Sequence, residues 1–272
     1  MGLLTIKFTV MKKGMKVFLS IVITLVIVIS LAFAYLGYLP VIGGIFGWDK
    51  PKDLGITYSE EDLNIAIEKS GAEYAVLDAS TPDESSIQFE GTHETTTSWS
   101  SAELSALLND RPWKHWPVNG VQMRINDDNT VEMTGIVNRE RLRGYCTGIG
   151  VPSEVIDRLY LMPSETPFYL HATGSLSDNK ISTLDFLSVE MGRYSVPTGL
   201  LLSVKDNQLL ENSYAEDINS ELSKYSGKKG YLVDFINEKL AWVSGFFANS
   251  AEFSEGSLNF EGSIPDTEQT VR

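Results

Sequence analysis

Cysteine is nearly absent from this 272-residue chain. Cys146 stands alone, so neither an intrachain disulfide nor a cysteine-built zinc cluster is available, and the fold must rest on its apolar core. Histidine is scarce as well. His93, His115 and His171 are the only ones, and none falls in HExxH or another metal-binding spacing. The chain also lacks a G-x-S-x-G elbow, a P-loop and a G-x-G-x-x-G fingerprint. No catalytic residue, metal ligand or cofactor is assigned on these grounds. A triad assembled only by folding leaves no such signature, so an enzyme acting on envelope polymers is carried as an alternative.

Acid is missing from residues 1–48, which hold Lys7, Lys12, Lys13 and Lys16. The rest of the chain keeps 18 basic residues (22 less these four) against all 36 acids, a net of −18. Such a surface repels phosphate backbones, which argues against general nucleic-acid binding. A hydrophobic fraction of 43% and an aromatic fraction of 10% suit a packed core.

From Val17 to Leu39 there is no charge. This span of 23 residues (17 to 39) exceeds the roughly 20 that a helix needs to cross the hydrocarbon core. Lysines precede it and the first acid, Asp49, comes after it, so the positive-inside rule places the N-terminus in the cytoplasm and the bulk outside. The expected layout is a basic cytoplasmic stretch at 1–16, a transmembrane helix at 17–39, a juxtamembrane linker at 40–55 and an extracytoplasmic domain at 56–272. Tyr35, Tyr38 and Trp48 fall near the outer interface. Ala32-Phe33-Ala34 also resembles a signal-peptidase site, which would release a secreted form beginning at Tyr35. MKKGMKVF at Met11 reads as a more natural start than Met1.

In the domain, Ser59 caps a helix whose first turn holds Glu60, Glu61 and Asp62, and Gly71 ends it. Ser86 to Thr92 alternates as a strand. A second helix runs from Ser100 to Asn109, with Leu104, Leu107 and Leu108 as its apolar stripe and Pro112 closing it. Val121, Met123 and Ile125 lead into an Asn126–Asn129 turn, and Val131, Met133 and Ile136 return from it. Pro152 to Leu161 reads as a short helix. A second hairpin turns at Ser177-Asp178-Asn179, between Phe168 and Glu190. Helix is expected for the second half of 197–224 and again from Gly230 to Gly245, and a last strand from Ser257 to Ile264. SIQFEGT at 86–92 echoes SLNFEGS at 257–263. Either two strands share one pleat and end at glycine, or a substructure is duplicated.

The most distinctive stretch is Arg111-Pro112-Trp113-Lys114-His115-Trp116-Pro117. Cations beside tryptophans suit lipid headgroups, sugars or an interface hot spot, so Arg111, Trp113, Lys114, His115 and Trp116 are the ligand or interface candidates. The competing reading is a connection whose tryptophans cap the core. Arg139, Arg141 and Arg143 alternate as one solvated strand face. His171, in FYLHATG, reads as a half-buried strand residue. The Asn126–Asn129 turn is acidic, but Asn and Asp favour such turns for backbone reasons and the EF-hand spacing is missing.

The order of parts resembles the YpmS-type group of bacterial membrane-anchored proteins. SAELSALLND supplies Glu103-Leu104 and Leu107-Leu108-Asn109, matching that group's T-x-x-E-L-N helix. Val131 to Ile136 matches its v-x-l-x-G-x-i strand, and Met191-Gly192 to Val196-Pro197 its G-x-l-x-l-P strand end. The likeness covers about residues 99–200, and the region at 41–98 and the C-terminal helix and strand depart from it. It implies a short N-terminal anchor before the domain, and it carries no activity and no site residue.

The expectation is thus an α+β chain: a single N-terminal transmembrane helix, then a curved, mainly antiparallel sheet packed on amphipathic helices. Its expected function is non-enzymatic binding of a lipid, an envelope component or a protein partner, with an apolar groove between sheet and helices as the preferred site. A structural or assembly subunit is a further alternative.

Overall fold

The computed structural model describes residues 49–151, 156–157, 162–192, 194–195 and 231–272, with Thr24 and 26–30. The expected membrane span therefore lies outside the described residues, apart from that short helical stretch, in which Val26 to Ile29 are exposed. Among the described residues no helix is long and apolar enough to cross a membrane. The helix expected at 152–161 is described only at 156–157, and the one within 197–224 is outside the described residues.

The domain is α+β with a curved antiparallel sheet. In chain order it contains α1 (Glu60–Ser70), β1 (Glu73–Val76), a 3-10 turn (Asp83–Ser85), β2 (Ile87–Glu90), β3 (His93–Ser100), α2 (Ser101–Asn109), β4 (Val118–Ile125) and β5 (Val131–Asn138). Next come α3 (Arg139–Gly148), β6 (Glu165–Ser177), β7 (Lys180–Met191), β8 (Tyr194–Ser195), α4 (Tyr231–Trp242), β9 (Phe247–Ser254), β10 (Ser257–Ile264) and β11 (Thr267–Thr270).

Local chemistry sets the helix ends. Ser59 and Asp62 form a reciprocal capping box on α1, Ser100 and Glu103 another on α2, and Gly71 closes α1 with a left-handed φ of 68°. Hairpin turns fall where expected: Asn129 takes φ 66°, and Asp178 and Asn179 take 50° and 58°. The arginines at 139–143 do not form a strand. The Asn138 side chain accepts the Arg141 N–H and starts α3, with Glu140 in the first turn, so a cap overrides the alternation.

The large sheet runs β3-β10-β9-β6-β5-β4, with β7 on the other edge of β6 and β8 on β7. The long strand β6 is a joint. Glu165 to Ala172 pair with β5 and Ser175 to Ser177 pair with β9, on one edge, while β7 runs along the opposite edge. Two register shifts in the β6–β7 ladder add twist there. A three-stranded sheet, β1-β11-β2, joins at a corner. Ile264 faces His93 and Thr267 faces Glu90, so both chains advance three residues (264 to 267, 93 to 90) and the β2–β3 and β10–β11 ribbon keeps one register through the bend. At the bend Gly91 has φ 71°, and a Cβ there would overlap the Asp266 carboxylate. The other glycine of the sequence echo, Gly262, sits at a bulge where a Cβ would overlap the Phe247 carbonyl. The echo thus falls on two strands of different sheets, and in each its glycine is a backbone position that excludes a side chain, just past the end of β2 and at a bulge inside β10.

The core has two clusters, one around Ala66, Trp99, Ala248, Ala251 and Phe260, the other around Ile125, Val131 and Ala172. Leu104 and Leu258 pack against both. The most buried residues of α2 are not its leucines but Glu103, Ser105 and Ala106. Ser101, Ser105 and Asn109 accept the N–H groups of Ile125, Met123 and Val121, each at 2.9 Å. Four helical residues rise about 6 Å and two strand residues about 6.7 Å, so the helix repeat matches the free N–H groups along β4. α2 therefore closes the sheet edge that β4 would expose.

Candidate functional site

Five strands, β3, β10, β9, β6 and β7, form a two-faced platform. One row of paired residues crosses them as Thr97, Phe260, Ala251, Leu176 and Ile181. The neighbouring row on β3, β10 and β9, on the other face by strand alternation, reads Ser98, Asn259 and Glu252; at the β6–β7 end a register shift beside Ser175 sets Thr183 two residues from Ile181, so both border the apolar side. The apolar face does not close completely under α4. Ile236 and Leu240, one helical turn apart, stand over it and Phe246 lies just past the helix, leaving a cavity of about 430 Å³ that opens to solvent.

Trp99, Phe253, Leu258, Phe260 and Leu184 line the cavity with the residues above. Among the described residues the bordering polar side chains are Ser175 and Thr183, and their hydroxyls bond each other at 2.8 Å. The Trp99 indole N–H is already given to the Ala66 carbonyl at 3.2 Å. Asn237 of α4 accepts the Ile181 N–H at 2.8 Å and ties the roof to the start of β7. The volume lies within the roughly 300–1,000 Å³ range of small-molecule sites, and the lining is almost wholly apolar. A second hollow of about 390 Å³ covers the polar face of β3, β10 and β9, around Thr96, Ser98, Glu252 and Glu261. Its groups are solvated, so covering them releases little free energy, and the apolar cavity is the better candidate.

Sequence reasoning named the helix, with Ile236 and Leu240 on its apolar side, the hairpin and the last strand that build this cavity, but assigned none of the lining residues to a site. The available signal was the alternation of apolar residues in β6, β9 and β10, and it does not say which strands become neighbours.

The loop chosen from the sequence lies elsewhere. Trp113 is 4% exposed and donates to the Ser86 hydroxyl at 3.1 Å, inside the protein rather than on its surface. Trp116 is half-buried and donates to the Leu108 carbonyl at 2.7 Å, with the Arg111 guanidinium 5.2 Å from its ring centre. Arg111 pairs with Glu268 at 2.7 Å, Lys114 with Asp83 at 2.7 Å and His115 with Asp83 at 2.9 Å. Lys114 and His115 hold the Asp83 carboxyl below its usual range. The five candidates are brought together, but against the three-stranded sheet and α3, where their contacts are those of a core-capping connection. Burial raises the pKa of Glu268 against the pull of Arg111, and of Tyr145 beside the two tryptophans.

The other histidines also have structural partners. His93 contacts Asp266 Oδ1 at 2.8 Å and the Ser70 carbonyl at 2.9 Å. His171, half-buried in β6, contacts the Thr130 hydroxyl at 3.0 Å, and that hydroxyl donates to Asp128 at 2.6 Å. Here the carboxylate sits on the hydroxyl and not on the histidine, so the order of a nucleophile–base–acid chain is not met.

A buried polar cluster lies on the face of β5 that the hairpin pattern assigned to solvent. Glu132 is ion-paired to Arg124 and accepts the Tyr169 hydroxyl at 2.5 Å. Burial acts against the charged Glu132, but hydrogen bonds from Tyr169, Arg124 and Asn126 outweigh it and lower its pKa. Tyr169 is pushed up to about 12, by burial first and by Glu132 second. The described end of the expected linker covers this cluster. Lys52 lies 3.6 Å from the Tyr169 ring centre and bonds Glu190 at 2.6 Å, while buried Leu54 gives its N–H to Gln122 at 2.7 Å. The space beside Lys52 is about 10 Å³, room for no more than a water. Comparison of the chain with protein-family models, with curated proteins and with solved structures finds no match.

Proposed function

We propose that this chain is a membrane-anchored, extracytoplasmic module that holds a small apolar ligand in the cavity under α4. The cavity carries the reading: about 430 Å³, bordered by aromatic and aliphatic side chains, with two hydroxyls that hydrogen-bond to each other. Water in such a space finds few partners, and an apolar ligand displaces it at little polar cost. Anchoring is supported by the uncharged residues 17–39 behind four lysines and by the exposure of Val26 to Ile29 on a helical stretch. The likeness of residues 99–200 to the YpmS-type group fits the same plan of anchor and domain.

The test is native mass spectrometry of the full chain released from lipid nanodiscs, beside a Leu184→Trp variant that fills the cavity. The reading expects a bound amphiphile on the wild type that the variant loses while keeping its circular dichroism spectrum. Equal ligand on both, or none on either, sinks it. Anchoring is checked on its own by carbonate extraction, and full-length protein in the soluble fraction ends that part.

A further inference from the structure

We infer that the ligand of this cavity is an amphiphile with a single hydrocarbon chain and a head group that carries no negative charge and is left outside. The inference rests on the proposed ligand-binding role and adds which class of ligand the cavity accepts.

The nature of the head group is set by what the lining lacks. A charged head drawn inward needs a counter-charge or several hydrogen bonds. Ser175 and Thr183 are bonded to each other, Trp99 is committed to Ala66, and among the described residues no charged side chain borders the cavity. The surroundings disfavour an anion in particular. On each of the elements that frame the cavity (β6, β7, β9, β10 and α4) carboxylates outnumber lysines, and Lys239 of α4 is already paired with Glu238 at 3.1 Å. The acidic remainder of the domain adds long-range repulsion. An uncharged head meets neither penalty.

The number of chains is set by volume. A cavity of about 150 Å³ holds one benzene ring, so the present cavity holds roughly three times as many carbons, on the order of eighteen. That is one acyl chain and not two.

The experiment uses the full chain in lipid vesicles and three photoreactive probes carrying the same diazirine-bearing chain: a monoacylglycerol, the matching alkyl sulfate and the diacylglycerol. Cross-linked peptides are mapped by mass spectrometry. The monoacylglycerol is expected to label the β6–β7 and β9–β10 peptides, with the labelling lost in Leu184→Trp, and the other two to label them about tenfold less or weaker. Labelling by the alkyl sulfate equal to that by the monoacylglycerol overturns the exclusion of an anionic head, and equal labelling by the diacylglycerol overturns the single chain; in both cases the cavity remains a ligand site. If no probe labels these peptides above Leu184→Trp, the ligand-binding role itself fails.

Discussion

The Ser105 hydroxyl accepts the backbone N–H of Met123 at 2.9 Å, and through it α2 closes the edge of β4. Ser105 is fully buried, so Ser105→Ala leaves the Met123 N–H without its partner. The expected loss is about 1–3 kcal/mol in denaturant unfolding. Ser105→Gly and Ser105→Ala are also expected to raise self-association in sedimentation, because an unpaired strand edge is a template for another chain. Unchanged stability for Ser105→Ala would show that the β4 edge is satisfied in some other way.

Trp113 separates the two readings of its loop. With its ring buried and its N–H on Ser86, Trp113→Ala is expected to cost about 3–5 kcal/mol, as for other buried tryptophans. Denaturant unfolding checks this. A change under about 0.5 kcal/mol is the signature of an exposed residue and would return the ring to the surface.

Gly91 and Gly256 both have left-handed φ, 71° and 74°, but only Gly91 lacks room for a methyl group. Gly256→Ala is expected to cost about 1 kcal/mol of backbone strain, and Gly91→Ala distinctly more, because Asp266 must also move. Equal unfolding midpoints for the two variants would remove Gly91 from the corner's design.

His93 makes the corner sensitive to pH. Both its ring nitrogens face acceptors, the Ser70 carbonyl and Asp266, and these raise its pKa, the carbonyl foremost. A raised folded value means that the contribution is complete below the usual 6.5 and is lost as pH rises through the folded value. The wild type is therefore expected to lose melting temperature relative to His93→Gln as pH is raised from 6.5. Parallel melting curves for the two proteins across that range would contradict the assignment.

Much of the local structure is legible in the sequence, for a physical reason. Ser59 with Asp62, Ser100 with Glu103, Gly71, Asn129 and the Asp178–Asn179 turn act within a few residues of themselves, so their effects are written where they stand. The reading failed where a local rule met a competing one. Asn138 capped α3 across an alternating arginine pattern, and burial of both faces of β5 hid Glu132 and Thr134 behind an apparent polar side.

By itself, then, the sequence determined the uncharged span, the acidity of residues 49–272, and the caps and turns that punctuate α1, α2 and the two hairpins. Only the tertiary structure decided what those pieces enclose. The row Thr97, Phe260, Ala251, Leu176 and Ile181 joins segments far apart along the chain. Alternation tells each segment which side to bury, but not which strand to bury it beside. That choice fell to the one-register ribbon bent at Gly91 and to the joint in β6. It left the Trp113 loop as a packed cap and opened an apolar cavity under α4.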